Sequence, residues 1–216
     1  MIGEWQGATR QGVPWTMAIP PSRRPPSRLV NSDPGLPPPV RASGAAPVIV
    51  TATMGAADQR FFNALRVAHY PPDRNHVPAH ITLLHQLPPS SLGELKALVR
   101  RIVADTPPPA ATLAKAYSLE TGVAFRIDSP DLLAIRERIA SHFEGLLTAQ
   151  DRGTPRLHIT VQNKVAPQTA RALLADLAHS TRPRAIAIAG LAARLYRGGA
   201  WETAFSRNFR GRRGAY

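Results

Sequence analysis

The stretch His80-Ile81-Thr82-Leu83 recurs almost unchanged as His158-Ile159-Thr160-Val161, 78 residues further along the chain. Both tetrads alternate polar and apolar residues, a pattern typical of a half-buried β-strand. Alternate side chains of a strand share a face, so each histidine lies beside the threonine of its own tetrad, while the apolar residues point to the core. The sequence therefore predicts two equivalent strands, each presenting one imidazole and one hydroxyl group side by side.

The segments around the two tetrads repeat in the same order: a strand, a helix, the tetrad strand and a second helix. Matching segments start 75 to 78 residues apart. In the first half they are Val48–Ala52, a helix carrying Phe61, Phe62, Leu65 and Ala68, Pro78–Leu84, and a helix from the capping-box sequence Ser91-Leu92-Gly93-Glu94 to about Ala104. In the second half they are Val123–Ile127, a helix opened by Ser129-Pro130-Asp131 and carrying Leu132, Ile135, Ile139 and Phe143, Arg156–Val161, and a helix carrying Ala170, Leu173, Leu174 and Leu177.

A single repeat of this unit favours two lobes of one α+β domain over a solenoid. The predicted domain covers residues 47–210 and is a duplicated, pseudo-two-fold, bilobal fold. Its repeat units span about 47–119 and 122–195. Further strands are predicted at Thr112–Leu119 and in a C-terminal hairpin of Ala185–Tyr196 and Trp201–Phe209, joined around Gly198-Gly199.

The segments on either side of this domain have a different composition. Residues 1–46 include Pro20-Pro21, Pro25-Pro26 and Pro37-Pro38-Pro39, and they contain no long stretch of apolar periodicity. This composition predicts a disordered Pro- and Arg-rich leader. Residues 211–216 are predicted to form a basic tail.

The chain of 216 residues has no cysteine. This excludes a disulfide framework, a thiolate zinc site, an iron–sulfur cluster and a cysteine nucleophile. No apolar run approaches the ~20 residues of a membrane span, and no apolar stretch of a signal peptide opens the chain. The sequence therefore predicts a cytoplasmic protein without a membrane partner, and we expect a monomer.

The net charge of +13 arises from 27 Lys and Arg against 14 Asp and Glu. It is concentrated at the C-terminal end, where residues 182–216 hold eight arginines against Glu202 alone. Such a surface raises the local concentration of polyanions such as RNA, or of phosphorylated metabolites. A solvated arginine-rich surface without a bound partner explains the charge equally well.

Two imidazoles and two hydroxyls that meet across a cleft suit a cyclic phosphodiester. One neutral imidazole removes a proton from the attacking water or hydroxyl, and the second, protonated imidazole donates a proton to the departing ribose oxygen. Neither role requires a metal. The hydroxyls of Thr82 and Thr160 can bind the non-bridging phosphate oxygens, whose charge grows in the transition state.

These residues resemble the 2H phosphoesterases, which are named for two such His-x-Thr motifs. The resemblance covers about residues 47–210, and the segments 70–83 and 158–165 are similar to the bacterial branch labelled 2′-5′ RNA ligase-like. It implies antiparallel sheets with helices outside and a central cleft. It also implies opening of 2′,3′-cyclic or 2′-5′ phosphodiesters in RNA ends or nucleotides, with reversible RNA ligation in some members and no cofactor. His80 and His158 are then the acid/base pair, with their two roles unassigned, and Thr82 and Thr160 hold the phosphate.

Residues near the tetrads are secondary candidates for substrate binding. Gln162 and Lys164 follow His158 by an even number of residues, so on a continuous strand their side chains share its face. Arg156 precedes the motif on the same face. Each has an equally good structural or solvent-exposed interpretation. Four aromatic residues are candidates for stacking on a base, although core packing explains them as well: Tyr117, Phe125, Tyr196 and Trp201.

The residues alone are also compatible with two other classes of function. A metal hydrolase would draw ligands from His76, His80, His85 and His158, but their spacing matches no familiar zinc pattern, and His85 is expected to have a structural or surface role. A non-catalytic RNA-binding module would use the arginine-rich surface and needs no paired histidines.

Overall fold

The computed structural model describes residues 46–211. The predicted leader and basic tail therefore lie outside the described residues, apart from Ala46 and Gly211. Within this range, no helix has the length and apolar character needed to cross a bilayer.

The described chain contains the predicted strands and helices in the predicted order, together with one short helix, Ala149–Arg152, that was not predicted. They are β1 (Val48–Met54), α1 (Ala56–His69), β2 (Ile81–Leu87), α2 (Leu92–Asp105), β3 (Ala110–Ser118), β4 (Val123–Asp128), α3 (Pro130–His142), α4 (Ala149–Arg152), β5 (His158–Gln162), α5 (Pro167–Ser180), β6 (Arg184–Tyr196) and β7 (Trp201–Asn208). Short 3-10 turns occupy Pro72–Arg74, Pro89–Ser91 and Glu144–Leu146. The β6–β7 hairpin turns at Gly198, whose φ of 94° favours glycine.

The strands pair antiparallel in the order β2-β1-β6-β3-β4-β5, and β7 also pairs with β6. The long strand β6 joins two lobes, because its first residues pair with β3 and its later residues pair with β1 and β7. The predicted bilobal α+β fold is confirmed. The lobe boundary differs from the boundary of the sequence repeat: β3 falls in the first repeat unit but pairs with β4 of the second lobe.

Two helix starts show which local predictions hold. Ser129 caps α3, where its hydroxyl accepts a hydrogen bond from the backbone N–H of Leu132 at 3.1 Å. The capping box predicted at Ser91 is absent: its hydroxyl donates to Pro88 O at 2.7 Å. The reason is that Pro89–Ser91 already forms a 3-10 turn, so Ser91 has helical backbone angles instead of the extended ones of a cap.

The two lobes are joined by reciprocal contacts that mirror the repeat. Helix α1, from the first lobe, contacts strand β5 of the second, and α3 contacts β2. In the core between them, the rings of Phe62 and Phe125 meet edge to face at 5.8 Å. The two outermost strands of the sheet order, β2 and β5, also contact each other. These are the strands of the two tetrads, so the fold brings the tetrads together.

Candidate active site

The two histidines of the tetrads have the same local geometry. Nδ1 of His80 lies 2.8 Å from Pro78 O, and Nδ1 of His158 lies 2.7 Å from Arg156 O. In each case the carbonyl belongs to the residue two positions earlier. A carbonyl oxygen only accepts, so Nδ1 carries the hydrogen in both rings, and proton exchange with a substrate falls to Nε2.

The threonines lie beside the histidines as the alternation predicts. Thr82 and Thr160 are half-buried, whereas Ile81, Leu83, Ile159 and Val161 are buried in the core. We call the space bordered by His80, Thr82, His158 and Thr160 the cleft. The contact between β2 and β5 brings the strands of the two tetrads together.

Helix α1 fixes the backbone just before His80. Gln59 donates from Nε2 to Ala79 O at 2.8 Å, and Ala79 N donates to Asn63 Oδ1 at 2.8 Å. Both side chains lie on the helix face towards this loop. Their hydrogen bonds fix the backbone of Ala79, and this fixes the position of the adjacent His80 imidazole at the start of β2.

Arg66 connects the first lobe to the second tetrad and was missed from the sequence. This residue of α1 is only 4% exposed and donates from Nη1 to Thr160 O at 2.8 Å. Its Nε donates to Asn75 Oδ1 at 3.1 Å, and its guanidinium lies over the Tyr70 ring at 4.2 Å. The signal in the sequence is its position four residues after Phe62, which puts an arginine on the buried face of the helix.

The surroundings of His80 favour its neutral form. Burial lowers the pKa of His80 to about 4, against a smaller opposing effect of the bond to Pro78; the positive charges of Arg66, His158 and Arg194 lower it further. The Trp201 ring contributes to this burial, since it lies 4.4 Å from the imidazole, centroid to centroid.

We expect Trp201→Ala to raise the pKa of His80 towards the ordinary value of 6.5, because water then reaches the imidazole. The measurement is an NMR titration of the histidine ring signals. The signal of His80 is assigned as the one that is missing from the spectrum of His80→Gln. Trp201→Phe is the matched control, since it keeps an aromatic ring over His80 and should retain a low pKa. An unchanged pKa in Trp201→Ala would contradict a role of this ring in desolvation.

Several buried polar side-chain atoms on β1, β5 and β7 have no hydrogen-bond partner among residues 46–211. They are the hydroxyls of Thr51 and Thr53, Oε1 of Gln162 and Nε1 of Trp201. Thr51 pairs with Thr82 in the β1–β2 ladder and so shares its face. Buried polar groups are normally hydrogen-bonded, so the Thr51 hydroxyl, on the face of Thr82, offers a donor and an acceptor to a polar ligand or to water.

The sequence profile of the 2′-5′ RNA ligase superfamily matches residues 55–199. This range holds both tetrads and extends from the start of α1 to the end of β6. The chain belongs to the 2′-5′ RNA ligase superfamily. The resemblance to two-histidine phosphoesterases, drawn from the tetrads, is thereby confirmed.

Solved structures share the fold of this superfamily member at low sequence identity. The protein TT0787 of Thermus thermophilus has a TM-score of 0.55 and 16% identity, over 77% of this chain and 100% of that protein. Escherichia coli LigT complexed with NADP+ has a TM-score of 0.50 and 16% identity, over 76% and 98%. None of the curated proteins compared with the chain matches it significantly.

The secondary candidates of this superfamily member lie in three different surroundings. Arg156 is exposed beside His158, while Gln162 is only 3% exposed and follows a register shift in the β4–β5 ladder, so it does not continue the simple alternation from Thr160. Lys164 does not continue the strand alternation, because β5 ends at Gln162 and Lys164 has a left-handed φ of 60°. Its backbone N–H donates to Asn163 Oδ1 at 2.8 Å, which stabilises this turn.

The aromatic candidates divide between core and site. Phe125 is fully buried and belongs to the core, whereas Trp201 lies against His80. The Tyr117 ring lies edge-on to His158 at 6.4 Å. Tyr196 pairs with Trp201 in the hairpin and lines a hollow of about 250 Å³ together with Lys164 and His76.

The remaining histidines of the metal interpretation are not gathered at the cleft. His85 binds the buried Asp151, with Nδ1 at 2.9 Å from Oδ1, as expected for a structural residue. His76 borders the hollow near Lys164. Among residues 46–211, no group of three or more His, Asp or Glu side chains is arranged as metal ligands.

Proposed function

We propose that the chain is a metal-independent phosphodiesterase that opens 2′,3′-cyclic or 2′-5′ phosphodiesters of RNA ends or nucleotides with its two histidines. The observation that supports the proposal is the contact between β2 and β5, the two strands of the histidine–threonine tetrads. Membership of a superfamily of two-histidine phosphoesterases supports it.

For a 2′,3′-cyclic phosphate, the reaction consumes one water molecule. The water oxygen attacks phosphorus as its proton passes to Nε2 of His80. The bond from phosphorus to one ribose oxygen breaks, and that oxygen takes the proton from Nε2 of His158. The product is a phosphomonoester, and the two histidines regain their starting states by proton exchange with solvent.

The different surroundings of the two rings support this division of roles. A pKa of about 4 keeps His80 neutral near pH 7, as a general base must be. His158 is then the acid, and in the protonated ring its Nδ1–H donates to Arg156 O. The hydroxyls of Thr82 and Thr160 bind the non-bridging oxygens, and Arg66 and Arg194 supply positive charge.

We expect a bell-shaped pH dependence of kcat/KM whose acidic limb lies near pH 4. Below the pKa of His80 the ring is protonated and cannot accept the proton of water, so activity falls there. The measurement is kcat/KM for a 2′,3′-cyclic nucleotide across pH 3.5 to 9 under conditions where chemistry limits the rate. An acidic limb near 6.5 would contradict the assignment of His80 as the desolvated base.

The substrate within this class is tested by a panel. Purified protein with a chelator present is assayed against nucleoside 2′,3′-cyclic phosphates, RNA with a cyclic-phosphate end and 2′-5′-linked dinucleotides; activity in the reverse direction would establish RNA ligation. The complex of the neighbour LigT with NADP+ supports a nucleotide ligand. Loss of activity in chelator that added zinc restores would favour a metal hydrolase. A cytoplasmic location and a monomeric state stay predictions.

The second candidate function is a non-catalytic RNA-binding module. The eight arginines of residues 182–216 favour it, because phosphate contacts need charge and not acid/base chemistry. In that case the histidines contact RNA without turning it over.

A further inference from the structure

A cavity of about 600 Å³ opens beside His158 in the second lobe. Three cations from different segments line it: Lys115 on β3, Arg126 on β4 and Arg156 just before β5. Among the described residues of its lining, Asp128 is the one carboxylate. The cavity therefore has an excess of positive charge.

The cavity is connected to His158 in three ways. Arg126 is the ladder partner of His158 between β4 and β5, so the two side chains share a face. Tyr117, which also lines the cavity, lies with its ring 6.4 Å from the imidazole. The backbone carbonyl of Arg156 accepts the Nδ1–H of His158. A ligand whose reacting phosphate is at His158 can therefore place its neighbouring groups in this cavity.

We infer that this cavity is a subsite for a second phosphate of the substrate, carried on the nucleotide unit next to the reacting one or on the same sugar. This inference rests on the proposed function. It assigns Lys115, Arg126 and Arg156 to the second phosphate and leaves the reacting phosphate to the two tetrads. A volume of about 600 Å³ accommodates a nucleotide unit and exceeds what a single ion needs.

The charges inside the cavity are compatible with an anion. Asp128 accepts a hydrogen bond from Arg126 Nε at 2.6 Å, so its negative charge is already partly compensated. Burial raises the pKa of Tyr117 despite the opposing charge of Arg156, so its phenol stays protonated and can donate to a phosphate oxygen. Lys115 and Arg156 are exposed, so each cation contributes modestly to the binding free energy of an anion. Their attraction for the anion should weaken as the salt concentration rises.

The test is calorimetric binding of nucleotides that the protein does not have to turn over. The probes are adenosine 2′-monophosphate, adenosine 2′,5′-bisphosphate and a 3′-phosphorylated adenylyl dinucleotide, at low ionic strength and with the full chain. We expect one or both two-phosphate probes to bind about tenfold more tightly than the monophosphate. Tighter binding of the dinucleotide alone would identify the second phosphate as that of the neighbouring RNA nucleotide. Tighter binding of the bisphosphate alone would identify it as the 5′-phosphate of the same nucleotide.

The variants Lys115→Ala and Lys115→Ala/Arg126→Ala should reduce this gain stepwise. Lys96→Ala is the matched control, because it removes an exposed lysine on α2, and it should leave the gain unchanged. Equal affinity for all three probes, or a gain that persists in the double variant, would overturn the inference. Because the readout is binding, equal affinity of the unaltered protein for all three probes disproves the subsite even if cyclic phosphates are turned over, and absence of turnover disproves only the proposed function.

Discussion

Replacement of His80 or His158 by alanine is expected to lower kcat for a 2′,3′-cyclic nucleotide by about 10²–10⁴-fold. Each variant loses one of two proton transfers, and no described side chain replaces the imidazole at the same place. The threonines and the surrounding arginines remain, so binding of a product nucleotide should stay close to that of the unaltered protein. The measurement is kcat by product release together with Kd by calorimetry.

His179→Ala is the matched control for these variants. His179 lies exposed on α5, and its Nδ1 is 2.8 Å from Ala175 O, so it makes the same type of bond to a backbone carbonyl away from the tetrads. Its removal should leave kcat unchanged. Unaltered turnover in both tetrad variants would disprove the acid/base pair. Tight RNA binding without turnover by the unaltered protein would favour the RNA-binding module.

Asp151→Ala is expected to lower the free energy of unfolding by about 3 kcal/mol. The carboxylate is only 2% exposed and accepts backbone N–H groups of His85 at 2.8 Å and Gln86 at 3.0 Å, besides the imidazole of His85. Alanine leaves these donors without their partner and separates α4 from β2. The measurement is urea unfolding at pH 7.

The pH dependence gives this prediction a second readout. Burial alone would raise the pKa of Asp151, but the hydrogen bonds from His85 and Gln86 outweigh it and lower the pKa below 3.8. A lowered pKa means that the stabilisation is present above pH 3.8 and is lost as the pH falls through the folded-state pKa. The difference between the unaltered protein and Asp151→Ala should therefore shrink in acid.

Asp176→Ala, at an exposed position of α5, should change the free energy of unfolding by less than about 0.5 kcal/mol. A similarly small effect of Asp151→Ala at pH 7 would show that the buried carboxylate does not hold β2.

Periodicity in the sequence was sufficient to predict the strands, the four longer helices and most of the core, but not the short helix α4. Alternation located β2 and β5, and the apolar spacing of α3 and α5 selected their buried faces, because side-chain direction in a strand or helix follows from local geometry. In α1 the same reasoning was less successful: Phe61 is 40% exposed and Arg66 is buried. Contacts with β5 of the other lobe decide that face, and local spacing carries no information about them.

Local rules also failed where neighbouring turns decided the backbone. Lys164 shares strand parity with His158, yet the turn held by Asn163 ends the strand before it. Likewise, β3 follows the first repeat along the chain but pairs in the second lobe, because pairing depends on partners that are distant in sequence.

The sequence by itself determined that two equivalent strands each carry an imidazole and a hydroxyl on one face, since strand geometry alone sets that relation. Tertiary structure decided that the two strands meet, that Trp201 lies against His80, and that burial together with the charges of Arg66 and Arg194 lowers the pKa of His80. It also decided that Lys115, Arg126 and Arg156 share one cavity beside His158. Desolvation and electrostatic attraction depend on distances in space, and these arise only when segments far apart in the chain pack together.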